Sequence, residues 1–73
     1  MTANDKREQK IRQNPKNVSL EDFEWLVNKY GTITMGGSHA IAIIGQSKYP
    51  YPRKNPIRPV YVRGLLRIID SQK

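Results

Sequence analysis

Leu20, Phe23, Leu26, Val27 and Tyr30 recur at spacings of three and four, an apolar stripe that predicts a helix of about three turns. Ser19 stands where its hydroxyl can cap that helix, Asp22 adds negative charge near the positive end of the dipole, and Gly31 supplies the stop. Trp25 lies off the stripe and reads as an aromatic at the edge of the core or as a contact for a partner. Beyond Gly31 the pattern changes to short extended runs: "TITM", then Gly36-Gly37, then "SHAIAII", a turn through "GQSK", and "YPYP". A Gly-Gly pair between two β-prone runs predicts a hairpin, and Pro50 and Pro52, lacking N–H donors, predict that the "YPYP" strand is short and lies on an edge or stops early. Pro59 then suits the first turn of a second helix through "VYVRGLLRIID". Its Val62, Leu65, Leu66 and Ile69 form one face, and Arg63 and Arg67 form a basic back. Gly64 inside this helix costs about 1 kcal/mol against Ala, tolerable where another backbone approaches closely.

The expected class is therefore α+β: a helix, a three-stranded antiparallel sheet and a helix, with both helices on one face of the sheet. Within "SHAIAII", His39, Ile41 and Ile43 share one side while Ala40, Ala42 and Ile44 share the other. Both sides are apolar, so the face turned away from the helices calls for a cover, which a partner protein would supply. Residues 1 to 15 mix both charge signs, with Ile11 the single large aliphatic residue after Met1. They are expected to form a flexible N-terminal tail, transiently helical around "DKREQKIRQ", with residues 16 to 73 as one domain.

Composition narrows the classes. A chain of 73 residues makes one small domain with a thin core. It contains no cysteine, which removes disulfide frameworks and thiolate zinc sites and points to a reducing cytoplasm. The longest apolar run, "AIAII", is too short to span a membrane, and the charged start does not resemble a signal peptide. Thirteen Lys and Arg against six Asp and Glu give a net charge of +7, and the excess is uneven. Residues 31 to 73 hold seven basic groups and one acidic group. Such a field draws polyanions, nucleic acid above all, and draws an acidic protein equally well.

Most enzyme chemistries are excluded by the residues available. A single histidine does not make a two-histidine metal site, carboxylates are scarce in the basic half, and Gly36-Gly37 is not followed by the Lys of a phosphate-binding loop. No metal and no small-molecule cofactor is implied. Metal-free RNA cleavage remains, in which one imidazole moves a proton while cations steady the phosphate. His39 is the candidate acid or base, displayed by the turn of Gly37 and Ser38. Arg53, Lys54 and Arg58 are candidate phosphate contacts, with Lys48 more peripheral. Tyr49 and Tyr51 either stack unpaired bases or pack against the sheet. Alternatively, His39 only caps the hairpin of a non-catalytic binding module.

The block from about Arg12 to Asp70 resembles the HicA-type, YcfA-like toxin family in "RQNPKNVSLEDFEWLVNKYG", in the "GSH" of Gly37, Ser38 and His39, and in "YPYPRKNPIRPVYVRGLLRIID". The resemblance implies a double-stranded-RNA-binding-domain-like fold, α-β-β-β-α, and mRNA interferase activity in a type II toxin-antitoxin system, with His39 catalytic. It also implies a HicB-type antitoxin that covers the active site, the toxin being monomeric when free and hetero-oligomeric with the antitoxin. The chain departs from the family around the motif. Met35 and Gly36 precede it where a basic residue is common, and Ala40, Ile41 and Ala42 follow where a second histidine and an aromatic are frequent. A degenerate member that binds RNA or a partner without cleaving is the alternative reading.

Overall fold

A computed structural model describes residues 3–72. Helix α1 (Ala3–Gln13) and a short 3-10 turn (Pro15–Asn17) lead into α2 (Leu20–Tyr30). Strands β1 (Thr32–Gly36), β2 (His39–Ile44) and β3 (Ser47–Pro52) follow, and α3 (Pro59–Ser71) closes the described chain. The strands form one antiparallel sheet in the order β1-β2-β3, so the proline-bearing β3 is an edge, as the missing donors require. The architecture is α+β, with the expected helix, three-stranded antiparallel sheet and helix from α2 to α3.

Local chemistry sets the boundaries. The Ser19 hydroxyl accepts the Asp22 N–H at 3.1 Å, satisfying one of the free donors at the start of α2, and the Gly31 N–H closes the helix on the Val27 carbonyl. Phe23, Leu26 and Val27 of α2, Ala40, Ala42 and Ile44 of β2, Tyr51 of β3, and Val62, Leu65 and Ile69 of α3 are buried together. The Phe23 and Tyr51 rings pack tilted, with centroids 4.7 Å apart, inside the range that favours aromatic pairs. The helices cover the Ala40, Ala42 and Ile44 face, leaving Ile41 and Ile43 half-buried on the other side between Thr32, Thr34, Lys48 and Pro50. Small alanines at the covered face let the helices sit close to the strand. No helix among the described residues is long and apolar enough to cross a membrane.

The amino-terminal segment differs from expectation. Residues 3–13 form a helix docked on the domain, where the sequence pattern predicts a tail. Ile11 enters the core, and Arg7, Glu8 and Arg12 add ion pairs to the docking. The buried Glu8 carboxylate accepts hydrogen bonds from Lys29 at 2.7 Å, Tyr30 at 2.7 Å and Arg12 at 3.0 Å. Arg12 reaches on to Asp70 of α3 at 2.9 Å, while Arg7 pairs with Asp22 at 2.7 Å and lies 4.7 Å over the Trp25 ring. Trp25 is thus an edge aromatic covered by α1, not a bare contact surface. A single aliphatic residue gives no stripe to read, and the charges find their partners far along the chain.

Burial alone pushes the Glu8 carboxyl up, but hydrogen bonds from Lys29, Tyr30 and Arg12 outweigh it and lower its pKa from 4.5 to about 2. A depressed carboxylate stabilises the fold above its unfolded value and loses that contribution as pH falls through the folded one. The unfolding temperature, followed by circular dichroism, is therefore expected to fall as pH drops from 4.5 toward 2 in the wild type. Glu8→Gln unfolds earlier at neutral pH and shows a flatter acid slope. Parallel pH curves for the two proteins would contradict the assignment.

Candidate functional site

The β1-β2 hairpin displays His39. Gly36 pairs with His39 across a two-residue loop of Gly37 and Ser38, and Gly37 has φ of 63°. Positive φ at the first loop residue alone is the type II′ pattern, whose twist matches the strands and which glycine adopts without strain. Ser38 Oγ lies 3.2 Å from His39 Nδ1, so the hydroxyl and ring share a hydrogen bond whose direction follows the tautomer. The imidazole is exposed at the start of β2, opposite Pro52 at the end of β3.

An open cleft of about 310 Å³ lies beside it, lined by His39, Pro52, Lys54, Pro56, Ile57, Arg58 and Tyr61. Its far wall is the loop from β3 to α3, which is pinned at two points. Asn55 Oδ1 accepts the Leu20 N–H at 3.1 Å, and the Ile57 N–H donates to the Val18 carbonyl at 3.3 Å while its side chain is buried. Arg58 stands at the N-cap position of α3 without a side-chain cap and Pro59 begins the helix, so the start of α3 borders the cleft. Lys54 and Arg58 are exposed and form no ion pair among the described residues. The cleft therefore combines one imidazole, two free cations and a helix start.

The other candidates lie elsewhere. Tyr51 is fully buried, its ring against Phe23 and its hydroxyl donating to Glu24 at 2.6 Å. Burial and the Glu24 hydrogen bond push its pKa up, and it has no face to offer a base. Tyr49 shares that inner side of β3 and is half-buried against α3, with its hydroxyl donating to the Val60 carbonyl at 3.5 Å and burial pushing its pKa up. Both tyrosines pack against the sheet rather than stack nucleotides, because the helices cover the face on which β3's alternation places them. Arg53 is drawn away by Glu24, its Nε and Nη2 donating to the two carboxylate oxygens at 3.0 and 3.2 Å, which raises the guanidinium pKa. Lys48 points from the open sheet face opposite Ile43, four strand residues or roughly 13 Å from the His39 row. Of the proposed cations, the fold brings Lys54 and Arg58 to His39 and leaves Arg53 and Lys48 out.

Pro56, Ile57 and Tyr61 are cleft residues that the sequence pattern does not single out, and Tyr61 is the aromatic among them. It falls beside the apolar Val62 in the first turn of α3, outside the face of Val62, Leu65, Leu66 and Ile69. Arg63 and Arg67 are exposed further along the same helix without a carboxylate partner among the described residues. No group of three His, Cys, Asp or Glu among the described residues is arranged to hold a metal ion. Fold and site together define a small α+β domain with a cationic cleft around one exposed histidine. Comparison with protein-family models, curated proteins and solved structures finds no match for the chain.

Proposed function

We propose that the cleft is the active site of a metal-independent endoribonuclease, an mRNA interferase acting as the toxin of a type II toxin-antitoxin pair, with His39 as the general acid or base. The observation that carries this reading is the convergence of an exposed imidazole and two unpaired cations on one cleft at a helix start. In such a site the ribose 2′-oxygen attacks the adjacent phosphorus, the bond to the 5′-oxygen breaks, and a 2′,3′-cyclic phosphate and a 5′-hydroxyl result. His39 takes the 2′-hydroxyl proton when Nε2 is free, the tautomer in which Nδ1–H donates to Ser38. The imidazolium so formed keeps Nδ1–H donating to Ser38 and passes its Nε2 proton to the leaving 5′-oxygen, which departs as the hydroxyl. Lys54 and Arg58 offset the extra negative charge on the phosphate as attack proceeds.

The HicA-like resemblance supports the toxin role and supplies the partner, a HicB-type antitoxin laid over the cleft and the open face around Ile41 and Ile43. Expression of the wild type is expected to arrest growth and degrade mRNA, and His39→Ala to do neither. Equal toxicity of both would remove His39 from the chemistry. The second reading, an RNA-binding module that does not cleave, draws on the apolar Ala40, Ile41 and Ala42 that follow the single imidazole. It predicts salt-sensitive RNA binding by the wild type with no cleavage products.

A further inference from the structure

The cleft has two chemically distinct walls. Lys54 and Arg58 provide charge, whereas Pro52, Pro56, Ile57 and Tyr61 provide apolar and flat surface beside His39. Phosphate binding alone has no use for the second wall. An aromatic ring next to cations is what a nucleotide with an unstacked base requires, its base on the ring and its phosphate on the cations. The volume of about 310 Å³ stands at the small end of pockets that enclose a single small ligand.

Tyr61 is also held for this task. Its ring centroid lies 6.3 Å from that of Tyr49, inclined by 53°. Tyr49 in turn occupies the notch left by Gly64 of α3, where a Cβ would collide with the Tyr49 hydroxyl and ring. Gly64, Tyr49 and Tyr61 therefore form a row that ends at the cleft, which gives Tyr49 a buttressing position rather than a face for RNA.

Resting on the ribonuclease reading, we infer that the cleft takes one unpaired nucleotide, with its base stacked on Tyr61 and its phosphate held by Lys54 and Arg58, so that the substrate is single-stranded RNA. A duplex offers the same phosphates but keeps its base faces stacked on one another, leaving Tyr61 unused.

The test uses the full chain carrying His39→Ala, so that binding is read without cleavage. Fluorescence anisotropy compares a labelled single-stranded ribo-oligonucleotide, the same strand with one abasic nucleotide at successive positions, and the strand paired with its complement. The single strand is expected to bind at least about tenfold more tightly than the duplex. Adding Tyr61→Ala weakens single-strand binding by about 5- to 150-fold, and Tyr61→Phe rescues most of it because the ring remains. One abasic position reproduces the Tyr61→Ala loss and adds little on top of it. Equal affinity for duplex and single strand, or equal losses in Tyr61→Ala and Tyr61→Phe, overturns the stacking assignment while leaving the ribonuclease reading in place. Absence of salt-sensitive binding to either RNA overturns both.

Discussion

His39→Ala is expected to lower the rate of RNA cleavage by about 10²- to 10⁴-fold, the range for removing a positioned acid or base. The same substitution leaves thermal unfolding nearly unchanged. His39 is exposed and its one side-chain hydrogen bond runs to the neighbouring exposed Ser38, so little packing is lost. That separation matters in a small domain, where a loss of activity is otherwise easily produced by unfolding. Rates are measured on a purified, labelled oligoribonucleotide, with circular dichroism melts as the control for folding. Activity that persists within about threefold in a folded His39→Ala protein would place the chemistry elsewhere.

Tyr51→Ala is expected to produce the largest loss of stability, about 3–5 kcal/mol by the standard of other buried aromatic truncations. It leaves a cavity against Phe23 and deprives Glu24 of the hydroxyl at 2.6 Å. Against the roughly 5–15 kcal/mol that holds a typical domain together, such a loss leaves little or no folded protein. Tyr51→Phe separates the two effects: the ring stays, only the hydrogen bond goes, and the cost falls to about 1.5 kcal/mol. Urea denaturation of the three proteins measures both. A stable Tyr51→Ala protein with weakened RNA binding would return Tyr51 to the nucleic-acid surface.

The elements legible along the chain are those whose stabilising contacts are local. The stripe from Leu20 to Tyr30, the Ser19 cap and the stop at Gly31 mark α2, and Pro59 with Val62, Leu65 and Ile69 marks α3. The hairpin and its display of His39 follow from Gly37, although Gly36 belongs to β1 rather than to the turn. Transient helicity in the α1 segment is legible but its docking is not, because Glu8 and Arg12 meet Lys29, Tyr30 and Asp70 only after folding. The same limit governs the site. Lys54 and Arg58 flank the short loop that ends near His39 and are found from their position, but the capture of Arg53 by Glu24 spans 29 residues. With β2 apolar on both sides, nothing local decides which face the helices cover, and that choice turns Tyr49 and Tyr51 inward. Tyr61 is then the aromatic left at the cleft.

The most direct measurement of the central proposal is the chemistry of the ends. The purified wild-type chain is incubated with a single-stranded ribo-oligonucleotide in excess chelator, and the products are resolved by mass spectrometry. Fragments ending in 2′,3′-cyclic phosphate and beginning with 5′-hydroxyl, absent with His39→Ala and with a substrate lacking the 2′-hydroxyl, are the predicted result. Intact RNA under these conditions, or fragments bearing 5′-phosphate, would contradict it.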